Sequence, residues 1–251
     1  IKNLITQKQI AEFTGQLRPG DILLERREWY LTNIGIPGFW THAAVYIGTP
    51  AERAAFFNGP EVQKLLSEEG ASSIEEILMR EKNAYRLCVT ADSHGAMPRV
   101  VEAIGEGVLF TTIEHSADCD SIAALRPSLS KYEIARAIIR AFRYSGRPYD
   151  FDFDFRTDSA LVCTELVYKS YEPSKGIKGI SFVMENIMGR SMVSANGIAK
   201  MYTDEIKSGG SQLQFVLFYD GSEKKGISVK STEKKFRKTH SRPKWHILIQ
   251  G

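Results

Sequence analysis

The sequence predicts an α+β fold, with strands clustered in the middle of the chain and helices on both sides of them. Two observations lead to this prediction. Strand-like segments at 99–110 and 121–126 follow one another without a helical segment between them. Longer segments with apolar residues at helical spacing come later, at 130–144 and 194–207. A chain that alternated strands and helices would instead predict a parallel βαβ sheet.

The first part of the chain is predicted to begin with a short helix over 5–15, which ends at a glycine. A turn at Pro19-Gly20 then leads into a strand that reaches Glu25. After a loop rich in glycine and aromatic residues, Trp40–Gly48 is predicted to be the second strand, because it is rich in apolar residues and ends at glycine.

The region from about 50 to 99 is predicted to be an insertion with short helices, because Glu61–Met79 contains two amphipathic segments. Arg99–Phe110 is predicted to form two strands joined by a Gly-Glu-Gly turn. We expect the second of these strands to continue from 111 to 115. Ser121–Arg126 is predicted to be a further strand.

The later helices have clear signals at their ends. Ser130–Tyr144 begins with a capping box, in which a serine is followed three residues later by a glutamate. A second helix is expected to begin close to Cys163 and to stop before Pro173, and a third is expected over Ser194–Lys207.

The C-terminal part changes character and is predicted to be rich in strands. Gln212–Asp220 alternates and then becomes apolar, and the Asp220-Gly221 pair predicts a turn into a strand over 226–231. A last strand is predicted over 245–250.

Composition and charge exclude several classes of protein. The 251 residues are 43% hydrophobic and 25% charged, as in ordinary globular proteins. The net charge of +3 is too mild to indicate nucleic-acid binding, although basic residues gather between 224 and 244. We interpret that cluster as a solvated face, with contact to an anionic surface or polymer as the alternative.

The longest apolar runs, such as 215–219, are far too short to cross a bilayer. No leader with a charged start and an apolar core is seen, and residue 1 is isoleucine, so we expect a trimmed or processed chain. The residues themselves leave the localisation open.

Of the three cysteines, Cys88, Cys119 and Cys163, only the last has a context that suggests chemistry. The spacing matches no metal or redox motif, and an odd number does not make a disulfide framework. Asp158 and Ser159 are good helix starters, so Cys163 is expected in or near the first turn of a helix. The dipole and free amides there favour a thiolate. The alternative is a buried structural cysteine.

A cysteine nucleophile needs a base and a group that orients this base. His42, on the second predicted strand, is the best placed of the five histidines, although a histidine on a strand is often structural. Glu102 stands in an apolar strand and is expected either to pair with the imidazole of His42 or to face solvent. Tyr149 could bring a hydroxyl to an oxyanion site together with the backbone N–H of Cys163, or could simply be packed.

Several short motifs occur in the order typical of one family. They are Gly20-Asp21-Ile22-Leu23, Trp40-Thr41-His42-Ala43-Ala44-Val45-Tyr46-Ile47-Gly48, Val101-Glu102-Ala103, Gly107-Val108, Pro148-Tyr149-Asp150 and Cys163-Thr164-Glu165-Leu166-Val167. Together they resemble the circularly permuted NlpC-like papain-fold amidases of the YiiX/YaeF type. In ordinary papain-like enzymes the cysteine helix precedes the histidine strand, whereas here it follows. Lecithin:retinol acyltransferase-like proteins share this permuted order.

The resemblance implies a papain-like fold, with a central antiparallel sheet packed by helices and the catalytic cysteine at a helix N-terminus. It implies that Cys163 is the nucleophile, His42 the base and Glu102 the orienting group, with Tyr149 near the oxyanion site. We also expect Trp40 and Thr164 to contact the substrate. The catalytic domain is expected over 1–205, with the insertion at about 50–99, and 206–251 as a basic, strand-rich extension packed on it.

Three functions remain open at this point. The first is a cysteine hydrolase that cleaves amide bonds through an acyl-enzyme, with peptides, including those of the cell wall, or small amides as substrates. The second uses the same triad on lipids as an acyltransferase or thioesterase. Exposed aromatics, such as Trp29, Phe39 and Trp40, would favour it, although buried packing or a rim for any substrate explains these residues as well. The third is a non-catalytic papain-fold binding module, against which the complete triad argues.

No metal or nucleotide motif is present, so we expect no cofactor and no bound metal. The expected partner is a substrate with an amide bond, without nucleic acid or an integral membrane segment. The resemblance favours a periplasmic or cell-envelope location.

Overall fold

The computed structural model describes residues 4–27, 38–148, 162–187 and 189–243. In these ranges the strands are β1 (Ile22–Arg26), β2 (His42–Tyr46), β3 (Val100–Ile104), β4 (Gly107–Thr111), β5 (Ser121–Pro127), β6 (Glu185–Ile187), β7 (Arg190–Met192), β8 (Leu213–Ser222) and β9 (Ile227–Lys230). The helices are α1 (Gln7–Thr14), α2 (Pro50–Phe56), α3 (Pro60–Glu69), α4 (Ile74–Leu78), α5 (Lys82–Cys88), α6 (Ile113–Ser116), α7 (Lys131–Tyr144), α8 (Cys163–Tyr171), α9 (Ala195–Lys207) and α10 (Glu233–Phe236). Short 3₁₀ turns lie at Glu223–Lys225 and Thr239–Ser241.

Within the described ranges, seven strands form one antiparallel sheet in the order β4-β3-β2-β1-β5-β8-β9. The strands β6 and β7 form a separate hairpin. The predicted α+β class is therefore confirmed, with β1 and β2 at the centre of the sheet. The C-terminal strand β8 pairs with β5, so residues beyond 206 extend the same sheet.

Both faces of the central strands are covered, which explains why every residue of β1 and β2 is buried. Ile22 and Leu24 belong to the larger core, which also contains side chains of α7, α8 and α9. Leu23, pointing to the other face, belongs to a smaller core that includes Ile10 and Phe13 of α1. The period-two alternation of the strands thus separates two apolar layers.

The predicted helix ends agree with the structure where a capping signal was present. The Ser130 hydroxyl accepts from the N–H of Glu133, and the Glu133 side chain accepts from the N–H of Ser130, as predicted for α7. Ser194 caps α9 in the expected place, and α8 ends at Tyr171, before Pro173. Local hydrogen bonds of this kind can be recognised without knowing the tertiary structure.

The predicted continuation of the second hairpin strand from 111 to 115 is wrong. The strand β4 ends at Thr111, and residues 113–116 form the helix α6 instead. The cause is a local cap, because the Thr112 hydroxyl accepts a hydrogen bond from the N–H of His115. His115 is therefore a helix residue and not a strand residue.

The predicted turn at Asp220-Gly221 is also wrong, because β8 continues through both residues to Ser222. Gly221 pairs with Ser228 of β9 and donates its N–H to the Ser121 hydroxyl at 2.9 Å. A side chain at this position would collide with the carbonyl oxygen of Asp120. This glycine serves a close approach of two backbones, and the chain reverses at the following 3₁₀ turn instead.

The region after β2 is helical, as predicted, but contains more helices than the sequence indicated. The two amphipathic segments correspond to α3 and α4, whereas α2 and α5 were missed. Arg53 of α2 is fully buried and makes two hydrogen bonds to the Glu75 carboxylate, at 2.6 and 2.8 Å. The strand predicted over 245–250 lies outside the described residues. No helix in the described ranges has the length and apolar character needed to cross a membrane.

Candidate active site

Cys163 is the first residue of α8. The preceding residue, Val162, has an extended backbone and no side chain that could cap the helix. The amides of the first turn are therefore available to an anion, which the helix dipole also favours. The helix starters Asp158 and Ser159 lie outside the described residues.

The other end of α8 is anchored to the turn before β1. The Tyr171 hydroxyl donates to the carbonyl of Gly20 at 2.5 Å, and the N–H of Gly20 donates to the carbonyl of Tyr46 at 2.7 Å. Gly20 has a φ of 95°, and a β-carbon there would collide with Ile134 of α7. This contact fixes α8 against β2, and so fixes the position of Cys163 at the opposite end of the helix.

Cys163 is only 2% exposed, but its sulfur lies in a polar environment of hydrogen-bond donors. The His42 side chain and the backbone amides of Ala43 and Thr164 all bind it. Burial alone would raise the pKa of the Cys163 thiol, but the charge of His42 and these hydrogen bonds outweigh burial and lower the pKa. The thiolate is therefore more accessible than that of an ordinary cysteine.

His42 is the first residue of β2, and its Nε2 lies 2.7 Å from Oε2 of Glu102. Because Nε2 contacts the carboxylate, Nδ1 is the nitrogen left for the sulfur of Cys163. Burial would lower the pKa of His42, but the charge and hydrogen bond of Cys163 and the hydrogen bond of Glu102 raise it above its ordinary value. The geometry favours a thiolate–imidazolium pair.

Glu102 lies on β3 and is completely buried, so the alternative in which it faces solvent is wrong. The Thr111 hydroxyl donates to Oε1 at 2.5 Å, while Oε2 faces His42 and lies 3.5 Å from Nη2 of Arg27. Burial would raise the pKa of Glu102, but His42, Arg27 and Thr111 together lower it. Glu102 is thus an ionised carboxylate that holds one nitrogen of His42.

Two charged residues of this region, Glu25 and Arg27, were not identified from the sequence. Nη2 of Arg27 lies 2.7 Å from Oε2 of Glu25 and donates to the carbonyl of Ser116 at 2.7 Å. The Ser116 hydroxyl donates to Oε1 of Glu25 at 2.6 Å. The available signal was the placement of opposite charges two residues apart at the end of a strand, since such residues share a face of the sheet.

The structure places the other predicted site residues in different environments. Thr164 is buried as the second residue of α8, beside Cys163. Trp40 is fully buried in the core, and its Nε1 donates to the Thr239 hydroxyl at 2.7 Å. Asn196 accepts hydrogen bonds from the backbone N–H groups of Phe39 and Trp40, and so fixes the segment that leads to His42. Tyr149 lies outside the described residues.

The remaining described cysteines are unlike Cys163. Cys88 is buried at the end of α5, and Cys119 is buried with its Sγ 3.3 Å from the carbonyl of Ser121. Burial raises the pKa of both thiols. Both positions agree with the sequence analysis, which found a context for chemistry at Cys163 alone.

In the described part of the chain, one group of side chains has ligand atoms close enough for a metal ion. It consists of Glu25, His42 and Glu102, whose atoms lie within 4.8 Å of one another. The guanidinium of Arg27 already places a positive charge between the two carboxylates. The donor set therefore fits a hydrogen-bonded cluster balanced by an arginine.

A thiolate at a helix N-terminus, next to an imidazole held by a carboxylate, defines the class of papain-like cysteine hydrolases. Residues 16–233 match the model of one such family, described as permuted papain-like amidase enzyme, YaeF/YiiX, C92 family. The chain belongs to this family of cysteine amidases, which confirms the predicted family, fold class and type of enzyme. Neither a search of curated proteins nor a search of solved structures gave a match.

Proposed function

We propose that this amidase cleaves its substrate through an acyl-enzyme on Cys163, with His42 as the proton carrier and Glu102 as the group that holds His42. The observation that supports the assignment is the position of one imidazole between a sulfur and a buried carboxylate. Its Nε2 lies 2.7 Å from Glu102, while its side chain also bonds the sulfur of Cys163.

In the first half of the reaction, the Cys163 thiolate attacks the carbonyl carbon of the amide and a carbon–sulfur bond forms. The imidazolium of His42 then donates its proton to the amide nitrogen, and the carbon–nitrogen bond breaks with release of an amine. In the second half, neutral His42 takes a proton from water, the resulting hydroxide attacks the thioester, and the carbon–sulfur bond breaks. The products are a carboxylic acid and the restored thiolate.

The negative oxygen of each tetrahedral intermediate needs hydrogen-bond donors. We assign this role to the backbone N–H of Cys163, together with the hydroxyl of Tyr149. The open first turn of α8 supports the first assignment, because Val162 does not cap it. For Thr164, proximity to the sulfur supports a role at the substrate site. For Trp40, its buried position supports an indirect role, through the segment that it shares with His42.

The proposed substrates are peptides, including those of the cell wall, or smaller compounds with an amide bond. We propose that the extension over 206–251 packs on the catalytic domain and continues its sheet. Two contacts support this, namely the pairing of β8 with β5 and the hydrogen bond between Trp40 and Thr239.

The first test is the rate at which iodoacetamide alkylates each cysteine as a function of pH, with mass spectrometry to separate the sites. Because the pKa of Cys163 is lowered, its thiolate persists below the ordinary thiol pKa, and its labelling should extend to lower pH than that of a free thiol. Cys88 and Cys119 provide internal controls in the same molecule, since burial raises the pKa of each.

The variant His42→Ala completes the test. Loss of the imidazole should slow the labelling of Cys163 at neutral pH and move its pH profile upward, without changing Cys88 or Cys119. A profile of Cys163 that matches the buried controls, or one that is insensitive to His42→Ala, would rule out the proposed pair. Confirmation would justify a screen of peptide amides, with release of a free amine as the readout.

A further inference from the structure

A second buried carboxylate lies behind His42. Glu25 is completely buried on β1, and its backbone is paired with that of His42 on β2. Paired residues on neighbouring strands present their side chains to the same face of the sheet. Glu25 and Glu102 therefore both face His42, within the 4.8 Å cluster of ligand atoms. Two buried carboxylates this close repel one another, and one of them would take up a proton unless a cation lay between them.

Arg27 supplies this cation. Its side chain is 5% exposed, and its Nη2 lies 2.7 Å from Glu25 and 3.5 Å from Glu102. The hydrogen bond from the same nitrogen to the carbonyl of Ser116 fixes the guanidinium from a third direction. An arginine remains charged even when buried, so it supplies a fixed positive charge beside both carboxylates.

We propose that Arg27 is a positioning residue, which keeps Glu102 ionised in the presence of Glu25 and thereby maintains the ion pair of His42 and Cys163. This inference rests on the proposed function, because it concerns the same triad. It adds a role for Arg27 and Glu25, which lie outside that triad and do not touch the reacting sulfur in the proposed mechanism.

Two effects of Arg27 oppose each other. Its charge directly disfavours the imidazolium and so lowers the pKa of His42, but it also lowers the pKa of Glu102, which favours the imidazolium. Glu102 is in hydrogen-bonding contact with both Arg27 and His42, so the indirect effect acts through the shorter contacts. We therefore expect the indirect effect to dominate.

The polar groups that face this cluster come from several packed elements. They are Glu25 on β1, Arg27 after β1, His42 on β2, Glu102 on β3, Thr111 on β4, Ser116 on α6, Cys119 before β5 and Cys163 on α8. Burial raises the pKa of Cys119 well above its ordinary value, so this thiol adds no negative charge to the cluster.

The test uses the pH profile of Cys163 alkylation in Arg27→Met, Glu25→Gln and the double variant. Arg27→Met should slow alkylation at neutral pH about tenfold, which corresponds to an upward shift of about one pKa unit. The double variant has a single carboxylate left beside His42, so most of the lost reactivity should return. A double variant no faster than Arg27→Met, or an Arg27→Met protein that reacts faster than the parent, would overturn the proposal.

The control is Arg126→Met. Arg126 also makes a forked ion pair, with the buried carboxylate of Asp21 at the opposite end of β1, and its loss should leave the profile of Cys163 unchanged. If Arg27→Met fails to fold, Arg27→Lys and Arg27→Gln replace it. The lysine variant should keep the profile and the glutamine variant should shift it, whereas equal profiles would count against a role of the charge.

The outcome for Arg27 can be separated from the outcome for the triad. If His42→Ala leaves the reactivity of Cys163 unchanged, the proposed function itself fails. If His42→Ala slows alkylation while Arg27→Met leaves the profile where it was, the triad stands and only the role of Arg27 is wrong.

Discussion

Cys163 and Cys88 are both buried thiols beside a basic side chain, His42 in one case and Arg53 in the other, yet their surroundings drive their pKa values in opposite directions. Near Cys88, Arg53 makes two hydrogen bonds to Glu75 and approaches the sulfur at 3.6 Å. Burial outweighs this contact, and the pKa of Cys88 rises. Near Cys163, the imidazole and two backbone amides outweigh burial, and the pKa falls.

Two features explain the difference: the end of the helix at which each cysteine lies, and the number of acceptors that share the neighbouring donor. Cys88 is the last residue of α5, where the helix dipole disfavours an anion, whereas Cys163 is the first residue of α8, where the dipole favours one. The guanidinium of Arg53 also bonds Glu75 and the carbonyl of Gly48, so it is shared among several acceptors. A nearby cation is therefore not sufficient to activate a buried cysteine.

The comparison predicts that removing the two sulfurs has very different consequences. Cys163→Ala should reduce amide hydrolysis on the order of 10⁴-fold or more, because the nucleophile is lost. Cys88→Ala should leave turnover close to that of the parent protein. Steady-state kinetics on an amide substrate, with thermal unfolding as a check on folding, measures both. A fully active Cys163→Ala protein would rule out covalent catalysis.

The second prediction separates stability from reactivity. Arg53→Met should lower the free energy of unfolding by about 3–5 kcal/mol, because it leaves the Glu75 carboxylate without its buried partner. The pH profile of Cys163 alkylation should not change. Denaturant unfolding and the alkylation assay give the two readouts. A shift of the Cys163 profile would show that the two clusters are coupled, contrary to the comparison.

The smallest of the three effects is expected for the carboxylate that holds the base. Glu102→Gln keeps the shape of the side chain but removes its charge, and should lower kcat about tenfold to a hundredfold, the value of a hydrogen bond to a charged group. KM should change less, since the imidazolium matters most in the transition state. The matched change Glu75→Gln should leave kcat unaltered. An unchanged kcat in Glu102→Gln would show that Glu102 has a structural role and no role in catalysis.

Much of this fold could be predicted because its helices carry local signals. The capping box at Ser130, the serine before α9 and the proline after α8 are readable from a few adjacent residues. The same kind of signal was overlooked at Thr112, where a short helix replaces the expected strand. The Asp220-Gly221 pair is typical of turns, but it lies within a strand. Glycine is needed there because another backbone passes close to Gly221.

The candidate site was predictable only in part. The residues alone left Glu102 between two interpretations, and its burial beside His42 depends on the pairing of three strands. Arg27 could not be assigned, because its position depends on α6, whose last residue, Ser116, fixes the guanidinium. Charged groups that act through tertiary contacts leave little trace in the local sequence.

The permuted order of the chain has a consequence for its synthesis. The groups that surround the imidazole, from Glu25 and Arg27 to Glu102 and Thr111, all precede α8 in the sequence. They therefore leave the ribosome before the nucleophile does. Cys163 emerges as an ordinary thiol, and its pKa falls only when α8 docks beside His42. The low pKa of Cys163 is thus a property of the packed structure, since it depends on His42 and on backbone amides of both β2 and α8.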